Sequence, residues 1–71
     1  MSKLTGPEAL SLLLYAEGDR ESTIRKLTAV RGELAADEEW LKKVLDGLQE
    51  KIRQMPEAVF QDCILHAEEY L

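Results

Sequence analysis

The sequence predicts an all-α protein of three to four helices, on three observations. Apolar residues recur every three or four positions through most of the chain, which is the spacing of one face of an α-helix. No stretch of any length alternates apolar and polar residues as a strand does, and β-branched residues are few and scattered. Proline and glycine fall where helices would begin or end, at Pro7, Gly18 and Pro56.

The first predicted helix covers about residues 6–17. Thr5 is suited to cap it, Pro7 is tolerated in its first turn, and Glu8 is placed to complete a capping box. The residues that follow Glu8 are apolar nearly all round the helix, a pattern typical of burial on more than one side. Gly18 is suited to end the helix.

A long amphipathic pattern follows, after a cap at Asp19 or Ser22. Its apolar stripe is interrupted at Asp37, where an aspartate followed by two glutamates is typical of a new helix start. We therefore expect two helices, about residues 21–35 and 37–55, packed as an antiparallel hairpin. The alternative is one unbroken helix of about 33 residues, roughly 50 Å long.

The last predicted helix covers about residues 56–70. It begins at Pro56, which a helix tolerates at its first position. Gly47, in the preceding helix, is placed to allow another helix to approach closely. We expect residues 1–71 to form a single small helical domain.

The size of the chain favours self-association. A domain of 71 residues buries only about 60% of its unfolded surface, and such domains usually need a disulfide, a metal or an oligomer. Cys63 is the only cysteine and His66 the only histidine, so neither an intrachain disulfide nor a four-ligand zinc site is available. We expect a homodimer that completes a helical bundle, with no metal or cofactor.

The charge and the termini limit the class of function. A net charge of −5 opposes general nucleic-acid binding, which depends on Lys and Arg neutralising phosphates. Either the acidic residues form a solvated surface or they face a basic partner. We expect no signal peptide, because no basic stretch followed by an apolar one begins the sequence, and no membrane span, because the longest apolar run, residues 12–16, is too short. Together with a lone thiol, which suits a reducing compartment, these features predict a cytoplasmic protein.

Catalysis is not expected. His66 lies three residues after Cys63 on the same predicted helix, so the two side chains could touch. A catalytic Cys–His pair also needs an orienting group and an oxyanion site. A structural pair at the edge of the core explains these residues better.

Residues 13–27 resemble a helix-turn-helix DNA reader. Gly18 falls at the turn, and Ile24 and Leu27 fall where that motif buries its second helix. Glu17 and Asp19 depart from the pattern, which has apolar residues at their positions. The resemblance implies a DNA-binding transcriptional regulator as the alternative function, with DNA contacts at Ser22, Thr23, Arg25 and Lys26.

The function that the sequence favours is a small acidic, non-enzymatic protein-binding module of the inhibitor, adaptor or chaperone type. It would act through an apolar helical face on a protein partner whose identity the sequence does not give. The apolar stripe and the nearby aromatic residues supply the candidate interface, which consists of Ile24, Leu27, Val30, Leu34, Trp40, Leu41, Val44, Leu48, Ile52 and Phe60.

Overall fold

The computed structural model describes residues 4–70, and within them all regular structure is helical, which confirms the predicted fold class. Four α-helices, α1 to α4, are followed by a terminal 3₁₀ turn. In chain order they are α1 (Gly6–Tyr15), α2 (Arg20–Glu33), α3 (Glu39–Gln54), α4 (Glu57–Leu65) and the terminal turn (Ala67–Tyr70).

The start of α1 follows the expected capping box. The Glu8 N–H donates to Thr5 Oγ1 at 3.2 Å, and the Thr5 N–H donates back to Glu8 Oε1 at 2.9 Å. The helix ends at Tyr15, two residues earlier than predicted, because Ala16 turns to extended backbone (φ −62°, ψ 135°). Gly18 therefore lies in the connection to α2 and not at the last turn of α1.

Thr23 ties this connection to α2. Its hydroxyl accepts a hydrogen bond from the Glu17 N–H at 2.9 Å and donates one to the Asp19 carbonyl at 2.8 Å. Asp19 caps α2 by accepting from the Ser22 N–H at 3.1 Å. The Thr23 side chain is fully buried as a result.

The amphipathic pattern in the middle of the chain is broken, and the chain does not continue as a single helix. Leu34 leaves the helix with extended backbone (φ −71°, ψ 143°). The Glu38 N–H then donates to the Ala35 carbonyl at 3.0 Å, closing a turn that contains Asp37. The prediction that α3 begins with a cap at Asp37 is therefore wrong by one residue. Glu38 occupies the cap position, without a side-chain hydrogen bond.

Helices α2 and α3 contact each other along their lengths. The Thr28 hydroxyl donates to Gln49 Oε1 at 3.0 Å, and Arg31 pairs with Asp46, with Nη2 3.1 Å from Oδ2. Near the start of α2, the Arg20 guanidinium donates to the Ile52 carbonyl at 3.4 Å. Later residues of α2 therefore pair with earlier residues of α3.

The core lies where α1, α2, α3 and α4 meet. Helix α1 packs on α3 and on the terminal turn, while α4 packs on α2. The apolar side chains they enclose come from every helix and from the segment before α1. The buried cluster consists of Leu4, Ala9, Leu12, Leu27, Leu45, Leu48, Ile52 and Phe60.

Candidate functional site

Four of the ten predicted interface residues lie in the core of the chain itself. Leu27, Leu48 and Phe60 are fully buried, and Ile52 is 1% exposed. Leu27, Leu48 and Ile52 belong to the stripe of α2 and α3, and Phe60 belongs to α4; all four are members of the buried cluster. They are therefore not accessible to a partner in this fold.

The other six predicted interface residues differ in exposure. Trp40 is the most accessible, at 65%. The remaining five are partly buried, and all of them except Val44 pack against the core cluster. They are Ile24, Val30, Leu34, Leu41 and Val44.

The most exposed apolar face belongs to α1, which the interface prediction had omitted. Leu10, Leu13 and Leu14 are 49%, 40% and 65% exposed. Their spacing of three and four residues places them on one side of the helix. On the other side, Ala9 and Leu12 are buried in the core. The signal that could have identified this face is the apolar character of α1 all round, which the fold uses on one side only.

A groove of about 200 Å³ runs beside this face. Residues of α1 form one wall, and the start of α3 forms the other. Its lining consists of Pro7, Leu10, Ser11, Leu14, Tyr15, Trp40 and Leu41. We refer to Leu10, Leu13, Leu14 and Trp40, together with this groove, as the α1–Trp40 surface.

Helix α1 contributes no exposed charged side chain to the α1–Trp40 surface. Glu8 is the only charged residue in that helix, and it is 6% exposed. Glu8 Oε1 lies 2.6 Å from Lys51 Nζ of α3. Gly47 permits this approach, because a Cβ at that position would lie 2.8 Å from Glu8 Oε2. A partly buried ion pair thus holds α1 on α3 and leaves the outer face of α1 without charge.

The structure places the four residues of the alternative DNA interface in different environments. Arg25 and Lys26 are exposed and Ser22 is partly buried. Thr23 is fully buried, so it does not face DNA as the resemblance implied; its hydroxyl is held by the connection between α1 and α2. The N-terminus of α2 also carries Asp19, whose pKa is lowered chiefly by hydrogen bonds from Ser22.

Cys63 and His66 occupy the end of α4. Cys63 is partly buried, and burial, with a smaller contribution from the charge of Asp62, raises the pKa of its thiol. His66 is exposed, with Nδ1 3.0 Å from the Glu69 carboxylate and Nε2 3.5 Å from that of Asp62. A raised thiol pKa lowers the thiolate fraction that nucleophilic catalysis requires.

Within residues 4–70, no three His, Cys, Asp or Glu side chains are grouped so that they could hold a metal ion. Nor does the described chain contain a helix with the length and apolar character needed to cross a membrane.

Comparison with known proteins gives no relative from which a role could be transferred. No family model, no curated protein and no solved structure matches this chain.

Proposed function

We propose that this chain is a small non-enzymatic protein-binding module, of the inhibitor, adaptor or chaperone type, that acts through the α1–Trp40 surface. The observation that carries the proposal is the grouping of three exposed leucines and an exposed tryptophan on one neutral face beside a groove. Contiguous exposed apolar side chains of this kind commonly mark interaction sites. Tryptophan is enriched among the residues that dominate binding energy.

In this proposal the α2–α3 pair is the predicted antiparallel hairpin; it supports α1, and α3 adds Trp40 to the surface that the partner meets. The apolar stripe of the pair contributes to the core, and the partly buried Glu8–Lys51 pair fixes α1 upon it. The binding face is thus presented by a helix held at fixed orientation. A rigid helix pays little ordering entropy on binding.

The exposed leucines would supply part of the free energy of binding. Their exposed fractions, 49%, 40% and 65%, add up to about one and a half leucine side chains. Burying that surface would contribute about 2–5 kcal/mol, at about 1.5–3 kcal/mol per leucine. Trp40 would add a comparable amount, since an aromatic ring buries more area than a leucine.

Site-specific photo-cross-linking in the native cell tests this proposal. A photoreactive residue replaces Leu14 in one version of the protein and Leu65 in another. Leu65 is a matched control, because it is an equally large, 76% exposed leucine that does not line the groove. We expect protein adducts from position 14 and few from position 65. Absence of adducts at position 14, or equal yields from both positions, would contradict the proposal.

A further inference from the structure

We propose that the occupant of the α1–Trp40 surface is the same surface of a second copy of this chain, in a two-fold symmetric dimer. The inference rests on the proposed function, because it names the partner of that surface. Three properties of the surface support it: its charge, its shape and its area.

Charge favours a second copy at this face. Each copy has a net charge of −5, so two copies repel each other over most of their surfaces. A two-fold interface sets a patch against itself, and any charge at its centre would meet a like charge. Residues 9–16 contain no charged side chain, and Glu8 is buried against Lys51. Two acidic copies can therefore meet at α1 without like-charge contact.

The rim of the surface is also compatible with self-pairing. Exposed Glu39 and Lys43 flank Trp40 in α3. A two-fold axis brings two such rims together, so that each sign can meet its opposite. A strongly basic partner would instead be matched by an acidic rim.

The shape of the α1–Trp40 surface is compatible with pairing to a second copy. Trp40, with 65% of its surface exposed, forms part of one wall of a groove of about 200 Å³. In a two-fold dimer each element of the patch is used twice, so a projection on one copy can enter the recess on the other. We infer that Trp40 of each copy contacts the groove of the second copy.

The exposed area indicates a reversible dimer. The four exposed side chains of the α1–Trp40 surface offer about 200–350 Å² per copy at their exposed fractions. A specific but weak interface needs about 500 Å² per partner, and the groove walls and the rim would supply the remainder. Interfaces at this lower limit are typical of weak, reversible association.

Light scattering on the full chain, from about 1 µM to about 1 mM, tests the inference. The variant is Leu14→Lys, which places a charge in the patch and, at the end of a helix without basic residues in its last turn, complements the helix dipole. Leu65→Lys is the matched control. We expect the mass of the wild type and of the control to rise from one chain to two, and dimerisation of Leu14→Lys to weaken at least about tenfold, which is 1.4 kcal/mol.

Trp40 provides a second measurement on the same samples. It is the only tryptophan, so its emission should shift to shorter wavelength as the dimer forms, in the wild type and in Leu65→Lys. Circular dichroism establishes that Leu14→Lys is folded. A wild type that remains one chain at all concentrations, or a dimer that Leu14→Lys does not weaken, overturns the inference.

The two tests separate this inference from the proposed function. If position 14 cross-links in cells to a different protein while the purified chain stays monomeric, the surface binds protein and the second copy is the wrong occupant. If position 14 gives no adduct and the purified chain stays monomeric, both proposals fail.

Discussion

The Glu8 carboxylate makes two interactions through one oxygen. Two substitutions, to alanine and to glutamine, separate their contributions to stability. Oε1 accepts from the Thr5 N–H at 2.9 Å and lies 2.6 Å from Lys51 Nζ. Glu8→Ala removes the ion pair and the side-chain acceptor of the Thr5 N–H, while the Thr5 hydroxyl still accepts from the N–H of residue 8. Glu8→Gln removes the charge and keeps an acceptor for the Thr5 N–H, since glutamine also completes a capping box.

The expected losses in the free energy of unfolding follow from burial. Losing one hydrogen bond of a capping box costs about 1 kcal/mol. Breaking a fully buried ion pair costs about 3–5 kcal/mol, but the Lys51 side chain is 24% exposed and water can solvate its ammonium, so about 1–2 kcal/mol is a better value here. We expect losses of about 2–3 kcal/mol for Glu8→Ala and about 1–2 kcal/mol for Glu8→Gln. Chains of this length are stable by about 4–10 kcal/mol, so either loss is readily measurable.

Urea unfolding followed by far-UV circular dichroism measures these losses. Lys51→Met retains the apolar stem of the lysine, and combining it with Glu8→Gln completes a double-mutant cycle. We expect a coupling energy of about 1 kcal/mol, with the double variant more stable than the sum of the single losses implies. Single variants within about 0.5 kcal/mol of the wild type, or zero coupling, would refute the reasoning.

Three further predictions concern other positions. Gly32→Ala should raise the free energy of unfolding by about 0.5–1 kcal/mol, because nothing lies within 4 Å of a Cβ there. Gly47→Ala should raise it less or lower it, because its Cβ would meet Glu8 Oε2 at 2.8 Å. Equal gains in urea titrations would contradict this. The lowered pKa of Asp19 means that its charge stabilises the fold above about pH 4 and ceases to do so as the pH falls through the folded-state pKa. Melting curves between about pH 5 and pH 2 should therefore show a larger fall in Tm for the wild type than for Asp19→Asn, which keeps a cap, and parallel curves would count against it. Iodoacetamide should alkylate Cys63 more slowly in the folded protein than in urea, because burial raises the pKa of its thiol; equal rates would show that the folded thiol is as reactive as an unburied one.

Structural features that depend on residues close together in the chain could be predicted from the sequence. The capping box of Thr5 and Glu8, the cap at Asp19 and the interruption near Asp37 each involve residues within a few positions of one another. Helical period and capping chemistry act at that range. The class of the fold could therefore be predicted, and so could the places where the chain leaves a helix.

Which face of each helix is buried could not be predicted, because burial depends on contacts between residues that are distant in the sequence. Helix α1 is apolar nearly all round, and its packing on α3 and the terminal turn buries Leu12 and leaves Leu14 exposed. Thr23 likewise turns inward because the Glu17 N–H requires an acceptor. Periodicity states that a helix has an apolar face; it does not state which other helix, in the same chain or in another, will cover that face.

The contact between α1 and the terminal 3₁₀ turn has a consequence for synthesis. Ala67, which begins that turn, is fully buried, and the turn packs on the first helix of the fold. During translation, α1 leaves the ribosome long before the terminal turn that packs on it. Until then a nascent chain would expose apolar side chains on both sides of α1, the condition in which growing polypeptides aggregate or engage chaperones. The contact between α1 and the terminal turn can form only after Ala67 has left the ribosome.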